Sequence, residues 1–379
     1  MAQRCIVVEA LSALQGGGQT YLRNLFAHYE PRTGERIFAI VPPQCRDGLN
    51  VNPAIELIAP SFPSGSLIRR QIWYKSSLPR LLRSVTANVL FCPGGFLAVR
   101  PNDCRTAVAF QNMLPFSPEE RRRYSLGYMR IRLWLLKYVQ RSSFRDADLV
   151  IFISRFAKSV IDLTVEKRRG TSVIIPHGLS DQFRQRNDRP ADSRLPNKYV
   201  LYVSTLDVYK AQIEVIEAWS ILRKMRPSPE KLVFVGWEFG PYAKRVRRRI
   251  MALGLDEEVL LFGSAPYELL PAYYQHAQVN LFASSCENCP NILLEAMAAG
   301  RPVLCSEYQP MPEFGANAVQ YFNPYDPMQL AEKLAQLLDD ERALADWGER
   351  AARHADDFEW CVSAGQTWAA LRQLANRPS

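Results

Sequence analysis

The chain has 379 residues, more than the size at which a single hydrophobic core usually stops growing, so its length predicts two domains. A hydrophobic fraction of 47% and a charged fraction of 22% are ordinary for a soluble globular protein. No window approaches the roughly 18 apolar residues that a membrane-spanning helix needs, which argues against an integral membrane protein. The net charge of +9 favours anionic partners such as phosphates, acidic lipids or nucleic acid, without choosing among them.

The opening stretch MAQRCIVVEALSAL has too short an apolar run for a signal peptide and favours a first strand. We therefore expect a cytoplasmic protein, and peripheral attachment to the inner face of a membrane stays open. The eight cysteines are expected to be reduced. Cys286 and Cys289 form one C-x-x-C, but no second pair stands at a spacing that would complete a zinc site, so we expect no metal.

Short apolar runs alternate with longer helical patterns along the chain. The first seven candidate strands, in chain order, are CIVVEA, RIFAIV, IELIA, NVLFC, TAVAF, DLVIFIS and SVIIP. After a polar interruption come KYVLYVS, KLVFVG, EVLLFG, VNLFAS and RPVLCS. Continuous apolar runs are typical of parallel strands that helices cover on both faces. The pattern therefore predicts a doubly wound α/β architecture.

The polar interruption, SDQFRQRNDRPADSRLPN, lacks periodicity and contains two prolines, which indicates an interdomain linker. We predict an N-terminal domain over 1–180, a linker over 181–197 and a C-terminal domain over 198–355. Residues 356–379 are predicted to form a final helix that packs back on the N-terminal domain. Two doubly wound domains that face one another would form a cleft at the carboxyl ends of both sheets, where ligands bind in this architecture.

The segment SSCENCPNILLEAMAAGRPV places two carboxylates among apolar residues. Glu287 lies in the loop after a strand, Pro290 is predicted in the first turn of the next helix, and Glu295 lies inside that helix. Glu287 can accept hydrogen bonds from sugar hydroxyls, and Glu295 can accept both hydroxyls of a ribose. The alternative is that Glu295 is a surface residue of an amphipathic helix and Glu287 a plain loop charge.

The longer segment SSCENCPNILLEAMAAGRPVLCSE resembles the Glu-x7-Glu signature of the family-4, or group 1, glycosyltransferases, which are retaining enzymes of GT-B fold. The flanking ELLPAYYQHAQVNLFASS and MPEF fit the same pattern. The similarity extends to YVSTLDVYKAQIEVIEAWSIL, KLVFVGWEFG, VLLFGSA and IPHGLSDQF. It implies two Rossmann-like domains that face a central cleft, with the acceptor on the N-terminal domain and the nucleotide sugar on the C-terminal domain.

The resemblance also implies roles for single residues. Glu287 would contact the donor sugar, and Glu295 would hold the nucleoside ribose. The intervening loop would meet the donor with its backbone amides; its residues are Asn288, Cys289, Pro290 and Asn291. Related enzymes with a glycine-rich loop let the backbone approach closely. The Asn-Cys-Pro variant here is expected to alter sugar selectivity.

In the family an Arg and a Lys five residues apart clamp the donor diphosphate. Lys210 matches the Lys, whereas Thr205 stands where the Arg is usual. The resemblance therefore implies that Lys210 neutralises the leaving diphosphate. The absence of the Arg implies either a lowered activity or a substitute cation, for which Arg155 is a candidate unless Ser154 and Arg155 merely begin a helix.

Three further positions of the N-terminal half resemble donor or acceptor contacts. The glycine loop would be Gly16, Gly17 and Gly18, between the first strand and the first helix, with a plain tight turn as the alternative. Gln111 or Asn112 stands where many relatives carry a histidine; either can bind a sugar hydroxyl, but neither is a general base. His177, where relatives usually have Asn, contacts the donor or packs in the hinge.

The run from Arg121 to Arg145, RRRYSLGYMRIRLWLLKYVQRSSFR, contains no acidic residue. Apolar residues repeat in it at helical spacing: Tyr124, Tyr128, Ile131, Leu135 and Tyr138, with Trp134 adjoining. One interpretation is a core-facing stripe with a solvated basic face, and the other is a face turned to anionic lipid headgroups or a lipid-diphosphate acceptor. A second basic cluster, from Lys244 to Arg249, is interpreted as solvated surface.

The favoured hypothesis is a retaining transferase that moves a hexose from a nucleoside diphosphate sugar to a hydroxyl of a saccharide or polyprenyl-linked saccharide, in bacterial polysaccharide or lipopolysaccharide biosynthesis. No metal or other cofactor is expected. The alternatives are a GT-B epimerase or phosphorylase, or a non-enzymatic protein that binds membranes or nucleic acid through its basic surface. The last explains the charge but not the paired glutamates, so we expect no nucleic-acid partner.

Overall fold

A computed structural model gives the fold of residues 4–12, 17–42, 45, 47–49, 51–60, 67–187, 192–227, 229–238 and 240–377, without the side chains of Asp47 and Leu67. The chain divides into two compact units. The first comprises Met1–Phe116, Ile131–Gly178 and Glu359–Ser379, and the second comprises Ser117–Arg130 and Leu179–Phe358.

The first unit contains a parallel sheet, in the strand order β3-β2-β1-β4-β5-β6-β7. Its strands are β1 Arg4–Glu9, β2 Glu35–Ile40, β3 Ile55–Ile58, β4 Val89–Cys92, β5 Arg105–Phe110, β6 Leu149–Phe152 and β7 Thr171–Ile174. Its helices are α1 Gly17–Ala27, α2 Leu67–Ser84, most of α4 Tyr128–Asp146, α5 Arg155–Thr164 and α13 Trp360–Ala375.

The final helix completes the core of the first unit. Trp360, Trp368 and Leu371 of α13 are buried with the side chains of β1 and α1. Trp368 Nε1 donates a hydrogen bond to the Leu25 carbonyl at 2.9 Å, which satisfies the one polar group of a buried indole. The last turns of the chain are therefore held by apolar burial and by a directed hydrogen bond.

The second unit contains another parallel sheet, in the strand order β10-β9-β8-β11-β12-β13. Its strands are β8 Tyr199–Val203, β9 Lys231–Val235, β10 Val259–Leu261, β11 Val279–Phe282, β12 Val303–Ser306 and β13 Gln320–Phe322. Its helices are α3 Pro118–Arg123, α6 Gln212–Met225, α7 Gly240–Ala252, α8 Leu270–His276, α9 Asn291–Ala298, α10 Met311–Gly315, α11 Pro327–Leu338 and α12 Glu341–Ala355. All five residues of β8 are buried, as expected for a central strand covered on both faces.

The predicted doubly wound α/β class is confirmed, and each of the twelve candidate strands forms a strand. The grouping of the chain differs from the predicted 1–180 and 198–355 in residues 117–130, which belong to the second unit. The described part of the predicted linker also belongs to that unit, because Phe183 is buried in its core. Residues 188–191 lie outside the described residues. Among the described helices, none combines the length and the apolarity that a membrane span requires.

Candidate functional site

The candidate site lies where the strand order of the second sheet reverses. The neighbouring strands β8 and β11 lie at the point where the strand order reverses, and ligands of open α/β sheets bind at the carboxyl ends of such strands. The loops that follow the two strands are joined by hydrogen bonds. The Tyr209 carbonyl accepts from the Ser285 backbone N–H at 2.8 Å and from the Ser285 hydroxyl at 3.0 Å. These two hydrogen bonds hold the loops together, and the loops form the crevice of the candidate site.

Lys210 and Glu287 meet in this crevice. Lys210 ends a short 3-10 turn that begins after Asp207, whose carboxylate accepts from the Val208 N–H at 2.7 Å. The Lys210 Nζ donates to Glu287 Oε1, and the two side chains are 6% and 16% exposed. The ammonium also lies 5.0 Å from the centre of the Tyr209 ring. A buried ammonium beside a carboxylate can bind an anion and hydroxyl groups at adjacent positions.

The loop between the two glutamates leads into α9. Its first helical residue is Asn291, and Pro290 stands one position earlier than the predicted first turn. The Pro290 carbonyl accepts from the N–H groups of Leu293 and Leu294, at 2.9 and 3.2 Å. Asn288 is buried, and Cys289 is half-buried. Asn288, Cys289 and Pro290 thus lie between Glu287 and the helix that carries Glu295, and Asn291 is the first residue of that helix.

Glu295 is a buried carboxyl group and not the surface residue of the alternative interpretation. It is 6% exposed and accepts hydrogen bonds from the Tyr267 hydroxyl at 3.1 Å and the Tyr274 hydroxyl at 3.3 Å. Burial raises the pKa of Glu295 to about 7, although the two tyrosine hydroxyls lower it. Burial, and then the Glu295 carboxylate, raises the pKa of Tyr274 well above its ordinary value, so Tyr274 remains a donor.

Thr205 stands where relatives usually have an arginine. It is exposed, and its hydroxyl side chain carries no charge. Its carbonyl accepts from Gln212 Nε2 at 2.9 Å, which fixes the loop after β8. Nearby, Arg123 of α3 pairs with Glu214 at 2.8 Å and with Glu120 at 3.4 Å. A guanidinium group of the second unit therefore approaches this loop from a segment that the sequence assigned to the N-terminal half.

The glycine-loop residues occupy a helix start. Gly17 and Gly18 are the first two residues of α1, and a Cβ on Gly17 would meet no atom within 4 Å. Gly16 lies outside the described residues. Backbone N–H groups of a helix's first turn lack intrahelical partners, so Gly17 and Gly18 can still present them to an anion.

Gln111 and Asn112 directly follow β5 of the first unit. Gln111 is half-buried, and its Nε2 has no hydrogen-bond partner within the part of the chain that the structure describes. Asn112 is exposed, and its Oδ1 accepts from the Leu114 N–H at 3.0 Å. The side-chain carbonyl of Asn112 is therefore used in the local turn, whereas the Nε2 of Gln111 can still donate a hydrogen bond to a ligand.

His177 is buried, and Arg155 lies exposed at the start of a helix. His177 is buried between aromatic rings, with ring centres 5.2 Å from Tyr21 and 5.1 Å from Trp360. This packing supports the hinge interpretation. Arg155 is exposed at the first position of α5, and Ser154 accepts from the Ala157 N–H at 3.0 Å as the N-cap. Ser154 therefore begins this helix, as the capping alternative predicted.

Sequence reasoning missed a second buried carboxyl group, Glu9, at the end of β1. Glu9 is 0% exposed and accepts from the Tyr74 hydroxyl and the Ser12 hydroxyl, each at 2.7 Å. Burial raises the pKa of Glu9 to about 7, against these hydrogen bonds and the Arg70 charge. Glu9 stands where the strand order of the first sheet reverses, between β1 and β4. The sequence feature that could have indicated Glu9 was the presence of a glutamate inside the apolar run CIVVEA.

The apolar residues of α4 face outward. Ile131, Trp134, Leu135 and Tyr138 are between 50% and 71% exposed, so the core-facing interpretation of this stripe is wrong for them. Tyr124 is the exception, because it lies in the break between α3 and α4 and packs against the second core. In the described residues, no three His, Cys, Asp or Glu side chains cluster as metal ligands would.

Comparison with known proteins gives one matching family model. Residues 183–354 match the model described as "Glycosyl transferases group 1". The matched segment covers both carboxylates of the crevice and Lys210.

Two relatives and one solved structure extend this comparison. A D-inositol 3-phosphate glycosyltransferase of Corynebacterium efficiens is 29% identical over 202 residues, 52% of this chain and 48% of that protein. A GDP-mannose-dependent alpha-(1-6)-phosphatidylinositol monomannoside mannosyltransferase of Mycolicibacterium smegmatis is 28% identical over 251 residues, 60% of this chain and 64% of that protein. The chain thus spans about half to two thirds of the length of these relatives. The Anabaena protein HepE, solved with UDP and glucose, matches 98% of this chain and 100% of its own, with a TM-score of 0.74 at 17% identity, a likeness of fold alone.

Proposed function

We propose that this chain, whose residues 183–354 match the model of the group 1 glycosyl transferases and which has the GT-B fold, is a member of that family and transfers a hexose from a nucleoside diphosphate sugar to a hydroxyl group. The observation that carries the proposal is the buried Lys210–Glu287 pair at the strand switch point, with buried Glu295 on the helix that follows. The Lys210 ammonium suits the diphosphate of the donor, the Glu287 carboxylate suits its sugar, and the Glu295 carboxylate suits its ribose.

Each side chain has one proposed task. The Lys210 ammonium neutralises the diphosphate as negative charge develops on it in the transition state. Glu287 accepts hydrogen bonds from hydroxyls of the donor sugar, and Glu295 accepts from both hydroxyls of the ribose. Backbone amides of residues 288–291 approach the sugar. Because Thr205 supplies no charge, Lys210 carries a larger share of the stabilisation than a lysine that has an arginine partner.

The proposed transfer retains the configuration of the sugar. The bond from the anomeric carbon to the diphosphate oxygen breaks, and a bond from that carbon to the acceptor oxygen forms on the same face. The acceptor proton passes to a leaving phosphate oxygen, because the amides of Gln111 and Asn112 cannot accept a proton at neutral pH. We propose no metal for this step, since Lys210 supplies the positive charge.

The proposed acceptor is a saccharide or a polyprenyl-linked saccharide of bacterial polysaccharide or lipopolysaccharide synthesis. The Mycolicibacterium relative is named for a mannoside carried on a lipid, phosphatidylinositol. An exposed face of α4 supports a role at a membrane surface. Its apolar residues stand beside the exposed Arg132, Arg141 and Arg145, a combination that suits anionic lipid headgroups.

A nucleotide-sugar titration tests the proposal. Isothermal calorimetry on the full chain with UDP-, GDP- and ADP-sugars should give saturable binding to at least one of them, and Glu295→Ala should weaken it by about 1–3 kcal/mol. An epimerase would convert the bound sugar with no acceptor present, which a product assay detects. A protein that binds none of the three but binds DNA with steep salt dependence would be a nucleic-acid binder.

A further inference from the structure

A pocket of about 940 Å³ lies in the second unit and shares Thr205 with the candidate donor site. Its floor is the loop after β8, from Thr205 to Val208, and the segment after β9 that includes Trp237. One wall is the first two turns of α7, with Tyr242 and Arg245, and the opposite wall is the segment 122–130. The volume falls within the roughly 300–1,000 Å³ that is usual for small-molecule sites.

The wall formed by residues 122–130 is anchored on the second unit. The Tyr124 hydroxyl donates to Asp207 Oδ1 at 2.7 Å, and Arg123 Nη2 donates to Glu214 Oε1 at 2.8 Å. Tyr124 also packs against the core of that unit. Because these contacts involve partly buried charges, they hold the wall in place. The pocket is therefore a built feature.

Part of the pocket lining is apolar and open to solvent. Leu126 is 86% exposed, Tyr128 is 74% exposed and Trp237 is 64% exposed. Exposed large apolar side chains that line a common concavity mark a binding surface more often than isolated ones do. These three side chains would gain burial from a ligand with a hydrocarbon part.

The lining also contains cationic side chains. Arg122, Arg130 and Arg245 line the pocket, and none of them has a carboxylate oxygen of a described residue within 4.0 Å. Arg245 lies over the Tyr242 ring, 5.6 Å from its centre, which orients its guanidinium. The single acid of the lining, Asp207, is occupied by Tyr124 and by the Val208 N–H. Because these three guanidinium groups have no carboxylate partner among the described residues, they favour an anionic ligand. Arginine is well suited to bind a phosphate.

We propose that this pocket binds a lipid phosphate, an isoprenoid-like chain that ends in a phosphate or diphosphate. The chain would lie on Leu126, Tyr128 and Trp237, and the phosphate would bind Arg122, Arg130 and Arg245. A free saccharide fits less well, because hydroxyl groups need acceptors and the lining has a single carboxylate, Asp207, whose Oδ1 already accepts two hydrogen bonds. The assignment rests on the proposed function, since the lipid phosphate would be the carrier of the acceptor saccharide. Thr205 on the pocket floor and Lys210 belong to one loop, so a carrier bound here would stand beside the donor.

The test titrates the full chain with four small probes below their aggregation concentrations. Farnesyl phosphate has both the chain and the phosphate, farnesol lacks the phosphate, inorganic phosphate lacks the chain, and glucose 1-phosphate has a sugar in place of the chain. Binding is followed by calorimetry and by the tryptophan fluorescence that Trp237 contributes. The variants are Arg245→Ser and Trp237→Ala, and Arg248→Ser is the matched control, because Arg248 is exposed on the same helix but does not line the pocket.

We expect farnesyl phosphate to bind at least about tenfold more tightly than farnesol or phosphate. Arg245→Ser and Trp237→Ala should each weaken it about tenfold, and Arg248→Ser should not. Equal binding of farnesol would overturn the phosphate assignment. Tighter binding of glucose 1-phosphate than of farnesyl phosphate would mean a saccharide site. A parallel titration with nucleotide sugars keeps the two proposals separate: failure there overturns glycosyl transfer, whereas failure of farnesyl phosphate alone overturns only the pocket assignment.

Discussion

At the scale of single residues, the two glutamates of the crevice have opposite surroundings. Glu287 has a cation in contact, the Lys210 ammonium. Glu295 has two phenol hydroxyls and no cation among its described hydrogen-bond partners, and its pKa is about 7. The carboxylate that would hold the ribose is therefore the one that titrates near neutral pH.

Donor affinity is expected to rise with pH because of Glu295. Only the ionised carboxylate can accept both ribose hydroxyls, and with a pKa of about 7 the ionised fraction grows about tenfold between pH 6 and pH 8. Calorimetry with an intact nucleotide sugar, whose own charge stays constant over this range, should show a comparable tightening of Kd. Glu295→Gln should bind more weakly and without this pH dependence. A pH-dependent Kd in that variant would assign the titration to another group.

Lys210→Met is expected to lower kcat by a factor of about 100 or more, because the leaving diphosphate loses its charge partner in the transition state. The same change leaves Glu287 without its cation, so Lys210→Arg serves as a second variant that keeps the charge and should recover part of the rate. Lys224→Met, at an exposed position near the end of α6, is the control. Turnover in Lys210→Met equal to that of the control would mean that the diphosphate charge is met elsewhere.

Glu287 and Glu295 were candidates because carboxylates stand out in an apolar context, whereas the resemblance to the family added Lys210. The sequence did not identify Tyr267 and Tyr274 as partners of Glu295, since they lie 28 and 21 residues away and meet it only through the fold. Glu9 was missed for a related reason. A single acid inside a strand run carries no periodic signal until its hydrogen-bond partners are known.

At the scale of secondary-structure elements, continuous apolar runs located twelve strands but not β13. That strand has three residues, Gln320–Phe322, and only Phe322 is fully buried, so it lacks the apolar run that marks a central strand.

The basic run from Arg121 to Arg145 contains a break between two helices that its sequence pattern did not indicate. Tyr124 ends α3 with extended backbone, and α4 begins at Tyr128. Helical spacing across the break suggested one stripe, whereas the two parts belong to different units.

The exposed face of α4 makes membrane association testable. In the combined variant Ile131→Ser and Trp134→Ser, binding to vesicles with anionic lipid should fall by a factor of ten or more, because partial burial of each apolar side chain contributes about 1–2 kcal/mol. Flotation with anionic and with neutral vesicles measures this. Leu163→Ser is the matched control, since Leu163 is 86% exposed on α5 of the same unit. Unchanged flotation of the combined variant would remove this face from the membrane proposal.

At the scale of the whole molecule, each of the two described units has a buried carboxyl group close to the point where the strand order of its sheet reverses. Glu9 is the last residue of β1 in the first unit, and Glu295 lies in α9, the helix that follows β11, in the second. Both have a pKa raised by burial from 4.5 to about 7. A raised carboxyl pKa means that the folded protein keeps a proton that the unfolded chain has already released.

The stability of both units should therefore fall as pH rises from about 4.5 to about 7, by an amount on the order of 3 kcal/mol for each carboxyl group. Between these values the unfolded state binds fewer protons than the folded state, so each rise in pH favours unfolding; above pH 7 the loss is complete. Denaturant unfolding at pH 5 and pH 8 measures the difference. Glu9→Gln, which keeps an acceptor for Tyr74, should reduce that difference, whereas Glu56→Gln at an exposed ion pair should not. If Glu9→Gln retains the full pH dependence of the wild type, Glu9 is already ionised in the folded protein, and the Tyr74 and Ser12 hydroxyls outweigh the effect of its burial.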